Sequence, residues 1–278
     1  MAGHSQAQTA DILERIVAAR RRSLAIEKQT TPAAKLEERA AVAPPPRDFR
    51  AALARDGVNV IAELKKASPS RGLLRAAYQP KAGTPGAYNP AALAPALEQA
   101  GAAALSVLTE PEFFQGSLED LTLARQTTSV PVLRKDFLVD PYQIYQARAA
   151  GADAVLLIAA ILTTGELKQL ITLGKQLGMA ALVEAHTGEE LARALEAGAE
   201  IVGINNRNLK TFEVSVETSL RLIESLPEEC VAVSESGLSA AADLVRLRAA
   251  GFDAFLIGER LMQAADPAAA LRELLGGA

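Results

Sequence analysis

The chain has 278 residues, 49% of them hydrophobic and 22% charged, which is ample material for a buried core and excludes wholesale disorder. Its 29 basic and 33 acidic side chains leave a net charge of −4, and no basic block extends beyond Arg20-Arg21-Arg22, which argues against a dedicated nucleic-acid binder. A single cysteine (Cys230) and two distant histidines (His4 and His186) exclude an internal disulfide framework and a multi-cysteine metal cluster, and leave little for zinc.

No apolar run reaches the ~18 to 20 residues of a membrane span. The first residues lack the apolar core of a signal peptide, so a cytoplasmic location is expected. Residues 1–58 read as a helical extension. Ile12, Ile16, Val17 and Leu24 give it an apolar face, while Arg20, Arg21 and Arg22 read as its polar side. Pro44-Pro45-Pro46 should break that helix, and residues 50–54 suggest a further short one. The apolar face predicts packing on the remainder of the chain, so residues 1–278 are expected to form one domain.

From Asn59 onward the chain has a rhythm. Four times a helical pattern runs into Ala-Gly and a small or aromatic residue, then into an apolar run. The four are Ala100-Gly101-Ala102, Ala150-Gly151-Ala152, Ala197-Gly198-Ala199 and Ala250-Gly251-Phe252. Glycine just past a helix supplies the left-handed cap, so each reads as a short helix-to-strand turn. Continuous apolar strands suit a parallel sheet covered by helices.

Eight strands are predicted, starting near Asn59, Ala104, Pro131, Ala154, Ala181, Ile201, Val231 and Ala254. The starts lie 20 to 30 residues apart after a first gap of 45, the length of one strand-plus-helix unit. With nothing reading as an antiparallel hairpin, this favours an α/β fold: a closed (β/α)8 TIM barrel with an extra N-terminal helical segment. A doubly wound open sheet is the alternative, weakened by the lack of G-x-G-x-x-G after the first strand. Inside the long first gap, residues 79–88 (QPKAGTPGAY) read as an inserted loop, an exposed excursion rather than a lid.

Catalytic groups of such barrels project from the C-terminal ends of the strands. Those ends carry Glu63 and Lys65, which share a face, then Lys135, Glu184, Asn205 and Arg207, Glu235 and Ser236, and Gly258-Glu259. Burying such charges unpaired is costly. They either close the barrel top as a salt-bridge ring or serve catalysis, and charges on four alternate strands together favour catalysis. Ser236-Gly237 and Gly258-Glu259 follow the last two strands, with Ser68 in the segment 67–72 (ASPSRG). Each glycine alone could be a plain turn; with Ser68 they point to a phosphate held on backbone N–H groups.

Taken together, these segments resemble the indole-3-glycerol phosphate synthase family of the tryptophan pathway over nearly the whole chain. The resemblance is carried by 61–72 (IAELKKASPSRG), 105–121 (LSVLTEPEFFQGSLEDL), 131–142 (PVLRKDFLVDPY), 181–186 (ALVEAH), 202–209 (VGINNRNL), 233–238 (VSESGL) and 256–262 (LIGERLM). It implies a carboxy-lyase that closes the ring of 1-(2-carboxyphenylamino)-1-deoxyribulose 5-phosphate, then decarboxylates and dehydrates it to indole-3-glycerol phosphate. It also implies no cofactor and no metal. The implied partner is a small phosphorylated substrate, with no nucleic acid and no membrane. A monomer is expected, open to association with other enzymes of the tryptophan pathway.

By the same resemblance Lys135 matches the general acid, although an ion pair with Asp136 or Glu63 would also explain it. Glu184 matches the general base. Lys65 matches a second lysine, suited to the substrate carboxylate, a developing oxyanion, or proton donation in dehydration. Glu63, Asn205, Glu235 and Ser236 match groups that orient the lysines and hydroxyls. Ser68, Gly237, Gly258 and Glu259 fall at the phosphate, Arg207 in an anion-facing or merely solvated place, and Phe114 and Phe137 at the aryl walls or in ordinary core. His186 reads as a neighbour of the site, and Cys230 has no role. Two rivals stay open: a lyase using Lys135 as a Schiff base, and a non-catalytic phosphate-binding barrel. The chain departs from the family pattern at 79–88, at the helix start Asn89-Pro90, and at Glu259, where serine is common.

Overall fold

The computed structural model describes residues 12–78, 87–208 and 211–277. His4 and residues 79–86 of the expected insertion lie outside the described residues. Three helices precede the barrel: α1 (Ile12–Thr30), α2 (Ala33–Val42) and α3 (Phe49–Leu53). The expected single helix up to Pro44 is in fact two, because Pro32 cannot continue α1 and instead sits at the start of α2. Leu24 of α1, Leu36 of α2 and Tyr142 form a small cluster of their own, and Tyr142 Oη donates to the carbonyls of Glu27 and Thr31.

Arg20 corrects the sequence expectation. The pattern places it on the polar side of α1, yet it is buried with Ile16 and Leu24. Its spacing of four from each puts it on the same stripe. Its guanidinium bonds Asp136 Oδ1 at 3.1 Å and Glu27 Oε1 at 2.8 Å, the pairing a buried charge requires.

Eight parallel strands follow: β1 (Asn59–Leu64), β2 (Ala104–Leu108), β3 (Val132–Lys135), β4 (Ala154–Ile158), β5 (Ala180–Ala185), β6 (Ile201–Asn205), β7 (Val231–Glu235) and β8 (Ala254–Ile257). They form one closed barrel, in which β1 pairs with both β8 and β2. Closure excludes the open-sheet alternative. Six strands start at the expected residue. β3 starts one late, because Pro131 has no N–H to donate, although its carbonyl accepts from Leu105. The helices α4 (Pro90–Gln99), α5 (Leu118–Thr127), α6 (Pro141–Ala149), α7 (Thr164–Gln176), α8 (Gly188–Glu196), α9 (Glu217–Leu222) and α10 (Ala241–Ala249) lie between strands. Then α11 (Glu259–Gln263) and α12 (Pro267–Gly276) follow β8.

The four Ala-Gly turns behave alike: Gly101, Gly151, Gly198 and Gly251 all have φ between 88° and 109°, where a side chain would be strained. Two residues past two of them, Asp153 and Asp253 accept the backbone N–H of Val132 and Ala232, each at 2.8 Å. Each thereby ties its own strand to the one before it. Inside the barrel, Ile61, Leu133, Leu156, Leu182, Val233 and Leu256 form the core. Phe49 and Leu53 of α3 join it beside Ala104, Ala154 and Ala254 and so close the N-terminal end. The first βα loop holds a small antiparallel hairpin, Ala67–Ser68 with Gly72–Leu73, that the sequence pattern does not announce. Its turn is made by Pro69 and Ser70, with Gly72 at φ 64°.

Candidate active site

The C-terminal end of the barrel opens into a cavity of about 590 Å³. Every candidate residue named from the sequence lines it, together with Ile12, Leu13 and Ile16 of α1 and Arg71 of the small hairpin. Strand alternation decides who faces in. On β3, Arg134 points outward and Lys135 inward, and Asp136 again turns away. Asp136 is fully engaged behind the sheet by Arg20, Arg134 and Thr109. The alternative explanation of Lys135, an ion pair with Asp136 or Glu63, does not hold: neither is its ion-pair partner. Its ammonium lies 3.1 Å from Glu184 Oε2 and 3.3 Å from Glu235 Oε2.

This cluster has an uneven charge count. One ammonium faces two buried carboxylates, and Glu235 Oε1 has no hydrogen-bond partner among the described residues. Burial disfavours each charge, but Glu184, Glu235 and Glu63 outweigh it at Lys135 and hold that lysine protonated. Burial likewise opposes the Glu184 anion. Lys135, His186 and a hydrogen bond from Asn205 outweigh it, and its pKa falls. Glu235 is left as the group whose pKa is pushed up, by burial and then by the nearby Glu184 charge, against the pull of Lys135. The two carboxylates are close enough that the titration of each depends on the other.

Lys65, just past β1, lies 2.5 Å from Glu63 Oε1. Glu63 occupies space that a side chain at Gly258 would fill, and Glu235 does the same at Gly203. The functional weight of Gly203 is not visible in the sequence, because it depends on a neighbour on the next strand. Phe114 and Phe137 face each other across 6.0 Å between ring centroids. The Phe114 loop is pinned by Glu110, whose carboxylate accepts the N–H groups of Glu112, Phe113 and Phe114. Ser236 holds φ 67° and Gly237 φ 77°, and the side-chain amide of Asn206 donates to Ser236 O at 3.1 Å. A serine held there is strained, and the strain marks a site worth function.

At the mouth, Glu259 is held between Arg71 Nε at 3.1 Å and Arg207 Nη2 at 3.4 Å. Arg207 is thus ion-paired as well as cavity-facing, and Arg71 is a further cation that the strand-end pattern does not single out. His186 lies beside the site with Nε2 3.4 Å from Glu184 Oε1. Cys230 precedes β7 at the opposite end of the barrel, with its thiol toward Ala199 O. Among the described residues no group of three or more His, Cys, Asp or Glu is placed to hold a metal ion.

A family model for indole-3-glycerol phosphate synthase matches residues 13–274. The indole-3-glycerol phosphate synthase of Koribacter versatilis (strain Ellin345) is 51% identical over 267 residues, 95% of this chain and 98% of that protein. The protein of the same description from Albidiferax ferrireducens is 47% identical over 272 residues, 96% of this chain and 99% of its own. Among solved structures, 3-hexulose-6-phosphate synthase from Salmonella typhimurium has a TM-score of 0.60 at 12% identity, covering 79% of this chain and 97% of that one, a likeness of fold alone. Matched along nearly its whole length by the family model and by full-length relatives, the chain belongs to the indole-3-glycerol phosphate synthase family.

Proposed function

We propose that the chain carries out its family's reaction: ring closure, decarboxylation and dehydration of 1-(2-carboxyphenylamino)-1-deoxyribulose 5-phosphate to indole-3-glycerol phosphate, carbon dioxide and water. The observation that carries the assignment of roles is the Lys135 ammonium held between Glu184 and Glu235 on the floor of an aromatic-walled cavity. The aryl carbon attacks the ribulose carbonyl, and the carbonyl oxygen must be protonated as the new carbon–carbon bond forms. Lys135 is a donor kept charged by its neighbours. Loss of the carboxylate as carbon dioxide comes next. The hydroxyl then leaves as water, while Glu184 takes the proton that dehydration releases.

Lys65, steadied by Glu63, serves the substrate carboxylate or the developing oxyanion, and its ammonium is also placed to protonate the departing hydroxyl. Asn205 and Glu235 orient Glu184 and Lys135, and Ser236 faces the substrate hydroxyls. Phe114 and Phe137 hold the aryl ring. Ser68 with the backbone of Gly237, Gly258 and Glu259 receives the phosphate, with Arg207 beside it. A Schiff-base role for Lys135 needs a free amine, and two carboxylates oppose that. A non-catalytic barrel leaves unexplained why a carboxylate oxygen of Glu235 is buried with no hydrogen-bond partner among the described residues.

We extend the reading to a cytoplasmic monomer forming one domain, with residues 12–58 packed on the barrel, and open to association with other enzymes of its pathway. Among the described residues no helix is long and apolar enough to cross a membrane. The test is direct: the purified chain, given the substrate, should develop indole fluorescence, and the Lys135→Met variant should do so far more slowly. Substrate left unchanged by the parent chain would overturn the assignment.

A further inference from the structure

Glu184 has a neighbour on the side away from Lys135. His186 follows it by two residues, just past β5, and its side chain is only 9% exposed. Each ring nitrogen faces a carboxylate. Nδ1 lies 3.2 Å from Oε2 of Glu190 in the first turn of α8, and the same oxygen accepts the backbone N–H of His186 at 2.7 Å. Nε2 lies 3.4 Å from Oε1 of Glu184 and makes no hydrogen bond among the described residues.

Neither neutral tautomer suits this arrangement. With the proton on Nδ1, a lone pair on Nε2 faces Glu184; with the proton on Nε2, a lone pair on Nδ1 faces Glu190. The imidazolium has a proton for each carboxylate. We propose that His186, anchored by Glu190, acts as an imidazolium that fixes Glu184 in its ionised, oriented form, and so is a positioning residue for the dehydration step. The proposal rests on the reading of Glu184 as the base.

The charged surroundings are mixed. Glu235 on β7 and Lys135 on β3 stand beyond Glu184, and Arg193 of α8 acts on Glu190. Glu14 of α1 with Arg207, Glu213 and Arg221 borders a second cavity of about 850 Å³ that His186 and Glu190 also line. Burial of the ring works against the cation, but Glu190, Glu184 and Glu235 outweigh it and raise the histidine's pKa.

The chain has only two histidines, so a His4→Gln background with ¹⁵N-labelled histidine isolates one imidazole spectrum. Both ring nitrogens should be protonated at neutral pH, and the ring should titrate above the ordinary histidine value. Glu190→Gln should move that titration down. In turnover, His186→Gln and Glu190→Gln should each lower kcat about ten- to a hundredfold, the upper figure being the cost of a ~1 Å misplacement of a reacting group, with KM little changed. The parent's kcat should fall as pH rises through the His186 titration; His186→Gln should abolish that fall, and Glu190→Gln should move it to lower pH. A neutral ring at pH 7, or variants with the parent's kcat and pH profile, would overturn the proposal. The titration is read on the resting chain, so its failure is distinguishable from a failure of Glu184→Gln to lower kcat.

Discussion

Gly203 on β6 leaves its side-chain position to Glu235 on β7: a β-carbon at 203 would overlap Glu235 Oε1. Gly258 after β8 stands in the same relation to Glu63 on β1. Two inward carboxylates, one contacting each of the cavity lysines Lys65 and Lys135, therefore rest against bare backbone on the adjacent strand. Overfilling a packed interior costs about 1–3 kcal/mol and displaces whatever can move. Here that is the carboxylate.

Gly203→Ala should therefore lower kcat by more than it raises KM while the barrel still folds, and Gly258→Ala should do the same through Glu63 and Lys65. Gly165, with nothing within 4 Å of a built β-carbon, supplies the control: Gly165→Ala should leave kcat unchanged. Steady-state kinetics beside thermal unfolding separates the cases. Parental kcat in both test variants would show that these carboxylates can shift without consequence.

Replacing Lys135 with Met removes the proposed proton donor at nearly constant length. Turnover should fall by roughly 10²–10⁴, the usual loss with a general acid, or further if Lys135 also holds substrate. A fall smaller than tenfold would remove Lys135 from the mechanism.

Much of the barrel is legible in the sequence because it is periodic. The Ala-Gly turns and the apolar runs place the strands, and reading inward residues at strand ends gathers one cavity. The features that escape depend on residues far apart in sequence. Arg20 reads as a polar-face residue until Asp136, 116 residues away, is brought beside it. The partners of Lys135 lie 49 and 100 residues on, and adjacency suggests Asp136 instead. The strand period of two holds the correction, since consecutive residues face opposite sides. Gly203 carries no such signal. Arg71 does, lying in the serine-rich segment beside Ser68.

Binding and chemistry should separate between two variants. If Ser68 holds the phosphate as proposed, the contact is present in both ground and transition states, so in Ser68→Ala KM should rise with kcat little changed. Glu184→Gln keeps the shape but cannot take a proton, so kcat should fall with KM little changed. Reversed profiles in initial-rate measurements would show that the two roles have been assigned the wrong way round.

Glu235 should make the folded state less stable as pH rises. Its pKa is raised in the fold, chiefly by burial and also by the charge of Glu184. Its neutral form therefore contributes stability fully below the ordinary carboxylate value, and that contribution is lost as pH climbs through the raised one. Glu184 runs the other way: burial opposes its charge, but Lys135 and His186 depress its pKa. Its contribution is present above the ordinary value and fades only in acid. Glu235→Gln mimics the neutral acid and cannot ionise. Parent and variant should unfold at similar temperatures in mildly acidic buffer, and the variant should become the more stable of the two as pH rises. Taking the difference between the two chains cancels the titration of groups remote from this cluster. Thermal unfolding of both at several pH values between about 5 and 9 reads it directly. A difference that stays constant across that range would mean that Glu235 is ionised throughout and that burial does not hold its pKa up.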